Sequence, residues 1–590
     1  MPLVSIPVDR LQRLIGRRLE REELTTALER LGSDVEGYAV MARYRCAACG
    51  QLTEALEHED FNNRCDYCGS DKLSAAGWSE VVRINLLPVR PDTFDAAGLA
   101  RALAGILGIR TGLPEFEFGA SGIVCRVAPG LEAVRPFIAC CCARGLKLDE
   151  ELLRMLMRLQ ENLHWAPGRD RRRASIGVYN LDAVRPDFSY RPVGPEEVRF
   201  VPLFGMPEGM VEATPRDVLE RHPKGASYRH LLAGFDRYPL LSDSAGAVLS
   251  LPPIINSEAT KVTAATRNLF VDVTGPDEGT VGRTLAIIAA VLADLGARVE
   301  TVAVEYPDGR RTTTPDMAPR EATLRPDEAC RVLGVTLSPE ELAGCLARLR
   351  HGATISGGVL RVRSPAYRAD LMHDYDLIED AGIGYGYERV TPRLVPAMTV
   401  GRPQPIEETA EVYRRSLTGL GFLETMTLQL TNAEEHLTRL GYPDDLPCVR
   451  LENPVRVEGT ILRRHLFSGL LSILRVNTTA EMPQHIFEIG DVFEPDGAVE
   501  TGVRGLRRVG IAMAGPKAGF AEIKAVVEAL GHELGIEAGF RAAALPFGID
   551  GRCAEAGTWG VVGEVHPAVL ERFGIAQPVA VAELAVLRGE

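Results

Sequence analysis

Apolar residues along the chain repeat at helical and strand periods, which predicts alternating short helices and strands. The clearest helix covers residues 150–165 and follows Asp149. Its apolar face consists of Leu152, Leu156, Leu159 and Leu163. The run FIACCCARGLKL just before it is nearly continuous and apolar, as in a buried strand, and its three cysteines are predicted to fill the core. Residues 396–590 alternate similarly, so a multidomain α+β chain is predicted.

One pattern occurs twice in the chain, with a constant offset between its matching positions. The segment IGRRLEREELTTALERL at 15–31 matches LGVTLSPEELAGCLARL at 333–349. Further on, Arg90-Pro91-Asp92 and Arg368-Ala369-Asp370 each precede a predicted helix. Chance similarity between two helices is the alternative, but two matched segments in the same order favour a duplicated module.

The first copy carries about 40 extra residues between its two matched segments, and they hold a cysteine motif. The spacing C-x2-C-x15-C-x2-C suits four thiolates around one tetrahedral zinc ion. The predicted ligands are Cys46, Cys49, Cys65 and Cys68. Incidental cysteines or a redox pair are the alternatives. A structural zinc is favoured over a catalytic one because four protein ligands leave no open position.

Composition and charge narrow the class of protein. The chain has 590 residues, 46% of them hydrophobic, which excludes disorder along most of its length. With 66 Lys+Arg against 80 Asp+Glu, the net charge of −14 argues against a surface that grips nucleic acid everywhere, although local basic patches remain possible. The N-terminus lacks a signal-peptide pattern, and no apolar run reaches the roughly 20 residues of a membrane span. We expect no membrane partner and a cytoplasmic location.

Two clusters of charge are candidate binding sites. Arg171, Arg172 and Arg173 form either an exposed loop or a phosphate contact. The second cluster consists of Asp370, Asp376, Glu379 and Asp380. Its last three members lie at i, i+3 and i+4 and would share one helix face, where carboxylate oxygens suit Mg²⁺. A solvated acidic helix face is the alternative.

The chain resembles the phenylalanyl-tRNA synthetase β-subunit family, in its archaeal and eukaryotic cytosolic form. The resemblance spans almost the whole chain and leaves only the cysteine insert unmatched. The segments that carry it are PVRPDTFDAAGLARALAGILGI, SIGVYNLDAV, YPLLSDSAGAVLSLPPIINSEATKVTAATRNLFVDVTGPD, SPAYRADLMHDYDLIEDAGIGYGYERV, LENPVRVEGTILRRHLFSGLL and HIFEIGDVFE.

The resemblance implies four domains. It implies a helical, winged-helix-like module at 1–115, interrupted by a zinc-ribbon-like insert at 40–78, and a related module at 313–395. Between them, residues 116–312 would form a mixed α/β domain that edits tRNA. Residues 396–590 would form an antiparallel sheet with helices like a class II synthetase, without catalytic residues.

The resemblance also implies partners and cofactors. The α subunit would bind ATP and phenylalanine, the complex would be α2β2, and tRNA-Phe would be charged. A magnesium site would lie on the acidic cluster of the second module. A synthetase-derived binding protein and a free-standing deacylase are the alternative functions.

Editing has a physical motive, since an apolar phenylalanine pocket rejects tyrosine by only about a hundredfold. A second site that hydrogen-bonds the phenolic hydroxyl would accept tyrosine instead. Residues 239–263 are the predicted wall, faced by Gly177–Tyr179, with the Arg171–Arg173 cluster near the tRNA end. Asp243 or Glu258 is the candidate acceptor of the phenolic proton, and Ser250, Asn256 or Thr263 is the candidate for positioning water or the ester. Alternatively, Asp243 caps a turn and Asn256 satisfies backbone groups.

Overall fold

The computed structural model describes residues 3–48, 50, 52–56, 61–65, 69–85, 88–395 and 399–587. The chain divides into two compact units, Met1–Arg393 and Leu394–Glu590. The described residues contain 15 α-helices and several sheets, which confirms the predicted multidomain α+β class. Among them, no helix is long and apolar enough to cross a bilayer.

The first module of unit one combines a small antiparallel sheet with three helices. The strands pair in the order β1-β4-β2-β3, and the short strand β3 lies in the cysteine insert. The elements are β1 (Leu3–Pro7), α1 (Val8–Ile15), α2 (Arg21–Arg30), β2 (Asp34–Cys46), β3 (Leu52–Leu56), β4 (Leu73–Asn85) and α3 (Ala96–Ile106).

The central domain is built on a ten-stranded mixed sheet in the order β11-β10-β9-β8-β5-β13-β6-β12-β7, with β14 paired to β13. The apolar sides of α4 and α7 join one core cluster with the sheet. The elements are β5 (Gly119–Val127), β6 (Phe137–Arg144), α4 (Glu150–Trp165), β7 (Ser175–Asn180), β8 (Phe188–Val193), α5 (Pro215–Arg221), α6 (Pro223–Tyr228), β9 (Tyr238–Asp243), β10 (Val248–Leu251), β11 (Ile255–Asn256), β12 (Leu269–Gly275), α7 (Glu278–Asp294), β13 (Arg298–Glu305) and β14 (Arg311–Thr314).

Local sequence signals explain helix α4 and the strand before it. Helix α4 covers the predicted residues 150–165, and the Asp149 carboxylate accepts a hydrogen bond from the Leu152 N–H at 2.7 Å as its N-cap. Cys140, Cys141 and Cys142 in β6 are fully buried, in agreement with the predicted core role.

The second module repeats the element order of the first. Its strands pair in the order β15-β17-β16, which corresponds to β1-β4-β2. Helices α8 and α9 follow α1 and α2 at the same offset as the matched sequence segments, while α10 follows α3 at a shorter offset because the insert lengthens the first module. The elements are β15 (Arg320–Leu324), α8 (Pro326–Leu333), α9 (Pro339–Arg348), β16 (Gly352–Ser356), β17 (Val359–Ser364) and α10 (Asp374–Tyr385). Each of the two modules also contains a small antiparallel sheet.

The matched Arg-x-Asp segments have the same local geometry in both modules. Arg90 binds Asp92 through two hydrogen bonds of 2.8 Å, and Arg368 binds Asp370 through bonds of 2.9 and 2.7 Å. Each pair lies just before the last helix of its module. The insert of the first module occupies the place of the Gly357-Gly358 turn between β16 and β17.

The second unit is a seven-stranded sheet in the order β18-β21-β22-β26-β25-β24-β23, antiparallel except where β18 joins β21. Separately, β19 pairs with β20. The elements are α11 (Pro405–Gly419), β18 (Leu423–Glu424), β19 (Leu430–Thr431), α12 (Ala433–His436), β20 (Ile461–Leu462), α13 (Phe467–Val476), β21 (Gln484–Pro495), β22 (Val503–Ala514), α14 (Phe520–Leu534), β23 (Phe540–Ala542), β24 (Gly548–Ala556), β25 (Gly560–Val565), α15 (Pro567–Phe573) and β26 (Val579–Ala585).

Candidate active site: a cavity with a polar base

A cavity of about 1590 Å³ lies in the first unit. Helix α4 and strands β7, β10 and β11 line it, together with loops at 203–207, 222–224 and 260–265 and residues of the cysteine insert. Most of its lining is apolar, so the few polar side chains at its base define what it can bind.

Three buried polar side chains form the base of the cavity. The Tyr179 hydroxyl lies 2.7 Å from Ser250 Oγ and 2.5 Å from Asp272 Oδ1. All three side chains line the cavity, yet each residue is at most 2% exposed. They therefore present hydrogen-bonding groups where water has little access.

Strand register brings Tyr179 and Asp272 of this base together. Asp272 on β12 lies opposite Gly177 on β7. A Cβ at residue 177 would lie 1.9 Å from the Tyr179 hydroxyl oxygen and 2.3 Å from Asp272 Oδ1. Glycine is required here because any side chain would occupy the position of the Tyr179–Asp272 hydrogen bond.

Burial determines the protonation states of Asp272 and Tyr179 at the base of the cavity. It raises the pKa of Asp272 to about 7, against the opposing effect of the hydrogen bond from Tyr179. It also raises the pKa of Tyr179, so the phenol stays protonated. When Asp272 is ionised, Tyr179 donates to it, and the one remaining orientation has the Ser250 hydroxyl donating to Tyr179. Ser250 Oγ is then left as an acceptor at the cavity.

Three of the five residues predicted from sequence line this cavity: Ser250, Asn256 and Thr263. Ser250 belongs to the polar base. Asn256 Nδ2 donates to the Val178 carbonyl at 3.2 Å, which agrees with its alternative backbone role. Thr263 is exposed on the loop at 260–265, away from the buried base.

The other two predicted residues have roles outside the lining. The Asp243 carboxylate accepts hydrogen bonds from the N–H groups of Arg185, Ala245 and Ala247, so it caps a turn. Glu258 accepts from the Phe204 N–H at 2.8 Å and pairs with Lys261 at 2.9 Å. Neither Asp243 nor Glu258 lines the described part of the cavity. The prediction that one of them accepts the phenolic proton therefore lacks support in this geometry.

The arginine cluster divides between interior and surface. Arg171 is buried and donates to the carbonyls of Pro253 and Ile254 at 3.2 and 2.9 Å, and it pairs with Glu161 at 2.9 Å. These bonds fix a wall of the cavity, so Arg171 is an internal anchor rather than a surface phosphate contact. Arg172 and Arg173 are exposed, and their predicted contact with tRNA stays a prediction.

Sequence reasoning missed Asp272 and His164. Asp272 was visible only as one acid in the otherwise apolar strand LFVDVTG. His164 Nε2 accepts from the Ile176 N–H at 2.8 Å, and burial lowers the pKa of the ring. The residue lines the same cavity, and its Nδ1 lies 3.7 Å from Glu161 Oε1.

The predicted magnesium ligands have other partners. Both Asp370 oxygens bind Arg368. Asp380 Oδ2 lies 2.7 Å from Arg368 Nη2 and 2.6 Å from His351 Nε2, while Asp376 accepts from two backbone N–H groups. Glu379 is exposed. As arranged in this chain, these residues do not fit a magnesium ion.

The cysteine insert has two matching turns. Cys46 and Cys65 are buried, and their carbonyls accept from the N–H groups of Gly50 and Gly69 at 2.9 and 2.8 Å. Both glycines have φ near +70°, which favours glycine. Cys49 and Cys68 lie outside the described residues. Within the described ranges, no group of three or more His, Cys, Asp or Glu side chains is placed to hold a metal.

Comparison with known proteins identifies the class. Residues 322–387 match the model described as tRNA synthetase B5 domain, and residues 391–586 match the one described as phenylalanyl tRNA synthetase beta chain CLM domain. Both models describe domains of aminoacyl-tRNA synthetases, and they cover residues 322–387 and 391–586 of this chain.

Whole-chain relatives identify the family. A phenylalanine–tRNA ligase beta subunit from Methanothrix thermoacetophila is 41% identical over 86% of this chain and 92% of its own length. One from Archaeoglobus fulgidus is 38% identical over 99% of this chain and 98% of its own. An N-terminal fragment of the Pyrococcus horikoshii phenylalanyl-tRNA synthetase beta subunit superposes with a TM-score of 0.56 at 31% identity, covering 65% of this chain and 99% of the fragment. The chain belongs to the phenylalanine–tRNA ligase beta subunit family.

Proposed function

We propose that this chain, together with an α subunit, attaches phenylalanine to tRNA-Phe using ATP and Mg²⁺ in the cytoplasm. Family membership over nearly the full chain is the observation that carries this proposal. The α chain supplies the synthetic active site, and this chain supplies tRNA binding, assembly and editing. The domains at 1–115, 116–312, 313–395 and 396–590 divide these tasks.

An exposed apolar surface in the second unit supports an α partner. Five side chains around β18 and the following loops are between 69% and 100% exposed: Leu423, Met426, Leu428, Val455 and Val457. Exposed apolar side chains that form one contiguous patch are typical of a surface that another chain covers. We propose that an α subunit covers it in an α2β2 complex.

The polar base of the cavity supports hydrolytic editing of tyrosyl-tRNA. Ser250 Oγ can accept a hydrogen bond from the phenolic hydroxyl of tyrosine. Its orientation is fixed by Tyr179, which in turn binds Asp272. Phenylalanine would leave that acceptor unpaired in a buried site, which costs about 1–3 kcal/mol. The cavity therefore favours tyrosine, the amino acid that the synthetic site rejects poorly.

Co-expression with an α subunit tests this function. We expect the two chains to co-purify, to charge tRNA-Phe with phenylalanine, and to release tyrosine from tyrosyl-tRNA-Phe faster than phenylalanine. The β chain purified without α should form no aminoacyl-adenylate. A β chain that neither binds α nor supports charging would favour the alternative of a synthetase-derived binding protein. A β chain that releases tyrosine from the tRNA in the absence of α would favour a free-standing deacylase.

We further propose one structural zinc ion in the insert, held by Cys46, Cys49, Cys65 and Cys68. The two matching turns at Gly50 and Gly69 support it, since each glycine N–H closes a tight turn on the carbonyl of the first cysteine of one C-x2-C pair. Elemental analysis of chain purified without chelators should find about one zinc per chain. The double variant Cys46→Ser and Cys65→Ser should lose it, whereas Cys330→Ser, a cysteine in α8, should not. A wild-type chain without zinc would refute the site.

A further inference from the structure

The cysteine insert contributes a wall to the cavity. Met41, Gly50, Leu52, Glu54 and Leu56 line it opposite the loops of the central domain. The volume of about 1590 Å³ exceeds the roughly 300–1,000 Å³ of ordinary small-ligand sites. An amino acid at the polar base would leave the outer part of the cavity unfilled.

A cluster of ion pairs holds this wall against the first half of α4. The Glu54 carboxylate lies 2.6 Å from Arg158, 3.3 Å from Arg43 and 3.5 Å from Arg154, and its side chain is only 8% exposed. Arg43 also pairs with Glu151 at 2.5 Å. A carboxylate shared by three arginines is a strong attachment, because removing it would leave three cations close together.

Further along β2, Arg45 forms two hydrogen bonds with Glu150, at 3.0 and 2.8 Å. This pair extends the attachment to the start of α4. The insert is therefore docked on the central domain by side chains along two strands, and its position relative to the cavity is defined.

The outer part of the cavity has cationic side chains that a phosphodiester chain could reach. Arg158 is 46% exposed even though it binds Glu54, and Lys224 is exposed on the lining loop at 222–224. Single-stranded nucleic acid binds to such grooves through its phosphates. The amino acid of the proposed editing substrate is esterified to the 3′ end of a tRNA, so nucleotides must follow it out of the base.

We propose that the insert, docked through Glu54 on α4, forms the outer wall of the cavity and holds the single-stranded 3′ end of the tRNA. The inference rests on the proposed editing function and extends it to a segment outside the polar base. The insert then contributes to binding of the nucleotides, while the base selects the amino acid.

Two variants of the full chain, each assembled with α, test this inference. In the first, residues 40–80 are replaced by Gly-Gly, the turn that joins β16 to β17 in the second module. In the second, Glu54→Lys places a cation among three arginines and undocks the wall without shortening the chain. Glu36→Lys is the matched control, since Glu36 lies on β2 outside the described lining and pairs with Arg83 at 3.3 Å.

Hydrolysis is measured on tyrosyl-tRNA-Phe and on tyrosyl-adenosine, which lacks the preceding nucleotides. We expect both variants to raise the KM for tyrosyl-tRNA-Phe at least tenfold, with kcat and the hydrolysis of tyrosyl-adenosine changed less than twofold. Glu36→Lys should match wild type on both substrates.

Other outcomes overturn the inference in distinguishable ways. An unchanged KM for tyrosyl-tRNA-Phe in Glu54→Lys and in the shortened chain means that the insert does not hold the tRNA end. Equal losses on both substrates mean that it only supports the base. Absence of tyrosine release from wild type overturns the proposed editing function itself, and the inference with it.

Discussion

Removing the Ser250 hydroxyl lowers the kcat/KM for tyrosine release from tyrosyl-tRNA-Phe by roughly 10–100-fold, because one buried hydrogen bond to the substrate is lost. Ser250→Ala should leave the slow release of phenylalanine nearly unchanged, since phenylalanine offers no hydroxyl to this group. The measurement is a deacylation assay with the assembled enzyme on both charged tRNAs, alongside a thermal melt that verifies folding.

Two control variants test whether the effect belongs to the base of the cavity. Ser242→Ala removes a buried serine hydroxyl from β9, outside the described cavity lining, and should leave tyrosine release unchanged. Glu258→Gln tests a residue that was predicted from sequence to contact the phenolic hydroxyl. In the structure its carboxylate binds the Phe204 N–H and Lys261 instead. A large loss in Glu258→Gln with none in Ser250→Ala would contradict the placement of the base.

The base also predicts a pH dependence. Burial raises the pKa of Asp272 to about 7, so its carboxyl group is neutral below that pH and ionised above it. Ionised Asp272 accepts from Tyr179 and leaves Ser250 as an acceptor for the phenol. The ratio of tyrosine release to phenylalanine release should therefore rise as pH increases through about 7. Asp272→Asn should lower the ratio and remove this pH dependence, and a dependence that persists in that variant would exclude Asp272 as its source.

Replacing Arg368 with methionine destabilises the first unit by about 3–5 kcal/mol, because it leaves buried carboxylates without their counter-ion. Arg368 is 2% exposed and binds Asp370 and Asp380 at 2.7 Å each. Calorimetry of the full chain should show the midpoint of the affected transition lowered by roughly 6 °C or more. Faster hydrogen exchange of amides in α10 would locate the effect.

Two comparisons make the second prediction specific. Arg331→Ala removes an arginine that pairs with Glu328 at 2.6 Å but is 68% exposed, so solvent screens the pair and the variant should lower the stability far less than Arg368→Met does. Adding Asp370→Asn and Asp380→Asn to Arg368→Met should restore part of the stability by removing the uncompensated charges. Equal effects of Arg368→Met and Arg331→Ala would show that burial does not strengthen this network.

The stability of the first unit should depend on pH through the carboxyl group of Asp380. Burial by itself would raise its pKa, but the Arg368 charge and the His351 hydrogen bond hold that pKa below its ordinary value. A carboxyl group whose pKa is lowered on folding contributes stability above its unfolded pKa, near 4 for Asp. That contribution should be lost as pH falls below about 4, and Asp380→Asn should weaken this acid dependence.

Local features of the chain were accessible from sequence. The leucine spacing and Asp149 predicted α4 at residues 150–165, since helix period and N-cap depend only on neighbouring residues. The constant offset between the matched segments placed α9 in correspondence with α2, and the structure extends the match to α8 and α1. A duplicated segment can be recognised in this way because residues that pack alike are kept in the same order.

The candidate site depended on contacts between distant segments. Tyr179 meets Ser250 and Asp272 across separations of 71 and 93 residues. The pairing of β7 with β12 brings Tyr179 and Asp272 together, whereas Ser250 comes from β10, which pairs with neither strand. Asp243 and Glu258 were plausible candidates by position, but backbone N–H groups engage both of them. Likewise, the spacing of Asp376, Glu379 and Asp380 on one helix predicted that they bind one magnesium ion together. In the structure Asp380 is buried and binds Arg368 instead.

For this protein, the sequence by itself determined the secondary-structure periods, the duplication, the cysteine spacing and the resemblance to a family, since each is a property of residues near one another or of their order. Only the tertiary structure decided which polar side chains converge, because convergence depends on strand order and burial. Because Asp272 of an apolar strand is removed from water, it becomes part of the polar base of the cavity. Glu379 is exposed to solvent and does not belong to that base.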